Sequence, residues 1–240
     1  MEEFDKYTSK FDINNSMNLL KYNHSYRVSN LSKMLAESLG LNSDDVKLAS
    51  LIGLLHDIGR FEQIKKFNTL KDVNTMDHGD YGAYLLFEEG LISKFTDDKK
   101  NYEIIKACVK EHNKYEISKE LDERTLLFVK IIRDADKLDI YNYLTNLNQS
   151  EFECEGEISK SVKEIFYSNK AIDNNVKKTK ADWAIGILSF IYDINFDKSL
   201  KYANQEKFVS KLLNRVDDKE KYKEYFEHIE KYIQNKLQEA

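Results

Sequence analysis

Proline is absent from the 240 residues of this chain. At average usage of about 5%, a chain of this length would carry roughly 12. Glycine is also scarce, with 8 residues. The two shortages exclude collagen-like and proline-rich segments. They also argue against an all-β fold, whose turns draw on both residues. Helices suit such a composition, because Pro in a helix interior costs about 3 kcal/mol and Gly about 1 kcal/mol. Cysteine is nearly missing as well. Cys108 and Cys154 form no CxxC pair and cannot build a disulfide framework. Cys108 lies among Ile104, Ile105, Ala107 and Val109 and reads as a small buried hydrophobe.

There is no excess of basic charge. Lys and Arg number 37 against 42 Asp and Glu, a formal charge of −5. Counterion release from a polyanion is therefore not a driving force, and a nucleic-acid polymer is not the expected partner. A small phosphorylated ligand is compatible with this balance, since one or two placed cations hold it. The Lys65-Lys66, Lys99-Lys100 and Lys177-Lys178 pairs read as solvated faces. Long apolar runs are lacking too. The longest, around Trp183 to Tyr192, falls far short of the roughly 18 residues of a membrane span. The first residues, Met1 to Asp5, are acidic and carry no apolar signal-peptide core. The expectation is a cytoplasmic protein with no membrane partner.

What is present is helical periodicity. Hydrophobic residues make up 41% of the chain, enough for a core, and no repeat or low-complexity linker divides it. A first helix is expected over 16–39, with Leu20, Val28, Leu31 and Leu35 on one face and Gly40 closing it. Ser43 reads as the cap of a second helix ending in His56-Asp57. The stretch 61–76 reads as a loop. Further helices follow from Asp77 to about Gly90, over 102–113 and over 122–147. After a polar stretch, more are expected near 158–168, 177–194, 206–216 and 219–237. The expected fold class is all-α. It comprises a core over 1–147 and a C-terminal helical extension over 148–240, packed as part of the same domain.

The five histidines are few enough to weigh singly. His24 sits four residues after Leu20 and four before Val28, on the apolar face of its helix. His56 and Asp57 end a buried helix, and His78 opens the next. His112 follows Cys108 by four residues, and Asp136 lies midway between Ile132 and Ile140. His228 belongs to no such pattern and reads as structural. Any one inward histidine is most simply a satisfied core residue. Jointly, the six side chains place two carboxylates in an apolar setting, which costs several kcal/mol without compensation. A divalent cation held by imidazole nitrogens and carboxylates would resolve this. Periodicity alone leaves open whether the helices converge.

The order His24, His56-Asp57, Asp136 resembles the pattern of the HD superfamily of metal-dependent phosphohydrolases. Leu54-Leu-His-Asp-Ile-Gly-Arg60 is similar to the family's signature helix end. Arg133-Asp-Ala-Asp-Lys-Leu-Asp139 is similar to its last motif and points to Asp136 as the ligand. The segments 77–86 and 108–114 resemble the additional histidine segments of the two-metal branches. The motifs cover about 16–147; the helices beyond carry none. The resemblance implies an all-α core that holds one or two divalent ions (Mn, Fe, Mg, Zn, Ni or Co). It also implies hydrolysis of a phosphomonoester or phosphodiester in a small phosphorylated substrate such as a nucleotide, by metal-activated water. His24, His56, Asp57 and Asp136 would hold the first ion. Asp57 would bridge to a second ion held by His78 and His112.

Arg60, at the end of the HD segment, is a candidate for phosphate binding. The alternative is a cation offsetting the helix dipole. Lys137 and Lys114 are further candidates, while Arg27, Asp134 and Asp139 read as supporting groups. Two other functions share the same residues. The ligand order also resembles the di-iron oxygenases of this superfamily, separable by iron content and O₂ uptake. A non-catalytic, nucleotide-binding regulatory module is the third reading.

Overall fold

A computed structural model describes residues 2–146 and 153–239. Among these the regular structure is entirely helical, with no strand. The chain forms two compact units, Met1–Asp136 and Lys137–Ala240. The division expected at 147/148 lies outside the described residues.

The first unit contains α1 (Glu2–Thr8), α2 (Ser16–Ser38), α3 (Ser43–Leu55), α4 (Ile58–Phe67), α5 (His78–Ala83), α6 (Tyr102–Glu111) and the start of α7 (Glu123–Asn146). A π-helical segment, Tyr84–Glu88, continues from α5. Local chemistry sets most of the boundaries. Asn15 caps α2, and Gly40 follows its end with φ +74°. The cap of α3 is Asn42 rather than Ser43. Its side chain accepts from the backbone N–H groups of Asp44 and Asp45, and Ser43 becomes the first helical residue. Asp77 caps α5 as expected, accepting from the Asp80 N–H.

The stretch 61–76 is not all loop. A new helix starts directly after Asp57 and runs to Phe67, where Asn68 takes a left-handed conformation (φ 49°). Ile58, Phe61 and Ile64 recur at helical spacing and are all buried. Phe61 packs on Phe4, Tyr7 and Phe11, with ring centroids 6.0, 6.2 and 5.5 Å away. Val28, Leu35, Ile52, Leu55, Leu86, Ile105, Cys108 and Ile132 are buried as well and belong to the apolar core.

Two glycines let the helices that carry the motif residues approach closely. A Cβ on Gly53 of α3 would stand 2.7 Å from Ser32 Oγ and 2.8 Å from the Val28 carbonyl on α2. A Cβ on Gly59 of α4 would collide with the His78 carbonyl and lie 2.8 Å from the Gly82 amide on α5.

The second unit holds the end of α7 and α8 (Lys160–Tyr167), α9 (Lys180–Leu188), α10 (Asp197–Gln205), α11 (Phe208–Leu213) and α12 (Lys219–Glu239). Helix α10, with Leu200 and Ala203 buried, had no expected counterpart. Thr179 and Asp182 cap α9 reciprocally. Phe166, Leu188, Phe208, Tyr222 and Phe226 fill the core. Lys177 is not the solvated residue its sequence setting implies. It is buried, with Nζ 4.8 Å from the Trp183 ring centroid, and burial pushes its ammonium down to about 8. His228 contacts Asn169 Oδ1 at 2.9 Å and packs on Tyr167, consistent with a structural role. No described helix is long and apolar enough to cross a membrane.

Candidate metal centre

The six motif residues come from α2, the α3–α4 junction, α5, the end of α6 and α7, and their side chains converge. His24 Nε2 lies 3.2 Å from His56 Nε2 and 3.1 Å from Asp136 Oδ1. His56 Nε2 is 3.8 Å from the same Asp136 oxygen. Asp57 Oδ2 faces both imidazoles, 3.4 Å from His24 Nε2 and 3.5 Å from His56 Nε2. The other oxygen, Asp57 Oδ1, faces a second pair. It is 3.3 Å from His78 Nε2 and 3.7 Å from His112 Nε2, and those two nitrogens are 3.0 Å apart. One carboxylate thus stands between two groups of donors.

These spacings match what a bound cation requires. Ligand atoms about 2.1 Å from one ion are about 3.0 Å apart at a right angle and about 3.4 Å apart at the tetrahedral angle. The groups His24, His56, Asp136 and His56, Asp57, His112 both keep their ligand atoms within 4.8 Å of one another.

Proton positions sharpen the argument. His56 Nδ1 is 2.8 Å from the Gly53 carbonyl, and His112 Nδ1 is 2.8 Å from the Val109 carbonyl. A carbonyl only accepts, so each Nδ1 carries the proton. His78 Nδ1 is fixed the same way by the Asp72 carboxylate at 2.7 Å. Burial pushes His56 down to about 3, against the pull of Asp57 and Asp136, and His78 down to about 4, against the pull of Asp72. Both rings are therefore neutral near pH 7, and their Nε2 atoms are bare lone pairs. The His78 and His112 Nε2 atoms, 3.0 Å apart with a carboxylate oxygen beside them, form a donor set suited to a cation.

The carboxylates are charged. Burial pushes Asp57 up, but the Lys21 ammonium outweighs it and holds Asp57 well below the usual carboxylate range. Asp136 is likewise held below that range, the His24 hydrogen bond overriding burial. The centre is closed on most sides. The Asp57 side chain is 3% exposed, while Asp136 at 19% and Lys21 at 16% form its solvent-facing rim.

The sequence matches the HD-domain family model over residues 22–141, the span that carries all six residues. The chain belongs to the HD-domain family. Neither the curated proteins nor the solved structures give a match. In this HD domain the buried His/Asp groups are able to hold metal.

Several supporting residues escape a motif reading. Lys21 Nζ sits 2.6 Å from Asp57 Oδ2. It lies three residues before His24, so the shared helix face was a usable signal. Asp72, which holds His78, lies in an irregular segment with no periodicity to reveal it. Arg133 donates to the Glu111 and Lys114 carbonyls at 2.9 and 2.5 Å and so secures the chain on both sides of His112.

The three expected phosphate-binding cations are each engaged. Arg60 NH1 donates to Gln63 Oε1, the Leu70 carbonyl and Asp72 Oδ1 at 2.7, 2.6 and 2.7 Å. Its Nε is buried without a hydrogen-bond partner, 3.6 Å from Asp57 Oδ1. Lys114 bridges Asp77 and Asp80 at 2.7 and 2.8 Å. Lys137 pairs with Asp193 at 2.8 Å. Asp134 and Asp139 are fully buried.

Proposed function

We propose that this HD-domain protein is a metal-dependent phosphohydrolase acting on a small phosphorylated substrate, a phosphomonoester or phosphodiester such as a nucleotide. The supporting observation is the pair of Nε2 atoms of His78 and His112 at 3.0 Å, beside one oxygen of a carboxylate whose other oxygen faces His24 and His56. His24, His56, Asp57 and Asp136 would hold one divalent ion, and Asp57, His78 and His112 would hold a second. Divalent ions so held supply Lewis acidity, making a water more acidic and offsetting charge on phosphoryl oxygens.

The chain's own residues do the rest. Gly53 and Val109 carbonyls and the Asp72 carboxylate keep three imidazoles in one tautomer, with Nε2 directed inward. Asp57 carries charge to both halves of the site. The buried walls exclude bulk water, and the rim at Asp136 and Lys21 admits the substrate. Arg60 acts from beside Asp57 Oδ1, tying the segment 70–72 to the centre.

The test is purification without added chelator, elemental analysis, and a panel of phosphomonoesters, nucleotides and cyclic dinucleotides assayed with Mn²⁺. Metal-dependent phosphate release or diester cleavage, lost in Asp57→Ala, is expected. Iron content with O₂ uptake and no phosphoryl chemistry would transfer the protein to the oxygenase reading. Metal binding without turnover of any substrate in the panel would favour a regulatory module.

A further inference from the structure

Lys21 forms a close ion pair with a carboxylate that also belongs to the donor set. Its Nζ is 2.6 Å from Asp57 Oδ2, the same oxygen that faces His24 and His56 at 3.4 and 3.5 Å. The other nearby cation, Arg60, faces the opposite oxygen at 3.6 Å and makes no hydrogen bond to it. Lys21 is therefore the charge that compensates buried Asp57 when no ion does. We propose that Lys21 is a built-in competitor for the metal at Asp57 Oδ2: it stabilises the metal-free centre and weakens the first metal's binding. The inference rests on reading the centre as a metal site.

The physics is a contest for one oxygen. A buried carboxylate without a counter-charge is strongly destabilising, so removing Lys21 from the metal-free protein leaves Asp57 exposed to that penalty. A dication sharing Oδ2 with an ammonium meets repulsion across about 4 Å, in surroundings far less screening than water. Lys21 has a way out. It lies at the rim, partly exposed, on a flexible four-carbon stem. The same charge that protects the site before loading opposes the loading step. Lys114 and Lys137, held by Asp77, Asp80 and Asp193, are not in this contest.

The test is Mn²⁺ binding alone, by calorimetry and by competition with a chelating dye, on wild type, Lys21→Met, Lys21→Gln and Lys21→Arg. Lys21→Met and Lys21→Gln should bind the first Mn²⁺ at least about tenfold more tightly, and Lys21→Arg should resemble wild type. In chelator, Lys21→Met should unfold at a lower temperature than wild type and gain more from Mn²⁺. Lys21→Gln keeps an N–H donor for Asp57, so it separates charge from hydrogen bonding and serves if Lys21→Met does not fold metal-free. Unchanged or weaker Mn²⁺ binding in the neutral variants would overturn the proposal and leave Lys21 as an orienting group for Asp57. A wild-type protein that binds no Mn²⁺ would instead overturn the metal reading itself. No arm requires substrate, so failure to find a phosphohydrolase activity leaves this inference standing.

Discussion

Asp72 Oδ2 accepts a hydrogen bond from His78 Nδ1 at 2.7 Å, while Asp72 Oδ1 takes the Arg60 guanidinium at 2.7 Å. A single carboxylate in an irregular segment thus sets the tautomer of one donor and anchors a cation beside Asp57. Such outer partners govern metal affinity by about 10–100-fold. Asp72→Ala should weaken the second Mn²⁺ by that order and leave the first nearly unchanged. Titration of metal-free protein resolves the two steps. Equal weakening of both would show that Asp72 acts on the fold rather than on His78.

Stoichiometry separates the two halves of the centre. Wild type should take up two equivalents of Mn²⁺, and a His78→Ala/His112→Ala variant one, since His24, His56, Asp57 and Asp136 remain. A wild-type value of one, with activity indifferent to the double substitution, would reduce the site to a single ion with two structural histidines.

The metal-free protein should lose stability in mild acid. His56 and His78 titrate near 3 and 4 in the fold, against about 6.5 when unfolded. The unfolded chain therefore takes up protons first. Stability from this source is complete above pH about 6.5 and falls as pH drops toward the folded values, by about 1.4 kcal/mol per pH unit for each histidine. Urea midpoints in chelator at pH 7.5 and pH 5 measure it. A midpoint at pH 5 equal to or above that at pH 7.5 would contradict the neutral, buried state of these rings. Bound metal should steepen the loss, because protons compete for the same nitrogens.

Gly59→Ala tests the close approach of α4 and α5. The added methyl would collide with the His78 carbonyl. Overpacking of this kind costs about 1–3 kcal/mol. Thermal unfolding should show the destabilisation, and the second Mn²⁺ should weaken because His78 shifts with its backbone. Unaltered Mn²⁺ binding at both steps would mean that α5 yields without moving the imidazole.

The sequence by itself determined the helical class and the residue types of the candidate donors. Zero proline, few glycines and apolar residues at 3.6-residue spacing leave few alternatives to helices, and that same spacing turned His24, His112 and Asp136 inward. Family motifs then put these residues in order. Local chemistry was legible where a cap or a turn declares itself, as at Asp77 and Gly40. It misled where a polar run hid a helix, as at 61–67, because Lys65 and Lys66 lie on the exposed side of a helix whose buried side is Ile58, Phe61 and Ile64.

Only the tertiary structure decided which groups meet across long separations. Lys21 and Asp57 are 36 residues apart, and Asp72 reaches His78 from a segment with no periodic signal. Arg60, Lys114 and Lys137 were each candidates for phosphate along the chain, and each is held by a carboxylate. Helical phase states which side of a helix a residue is on. It does not state how near the next helix comes, and here two glycines without a Cβ set that distance at α2–α3 and at α4–α5.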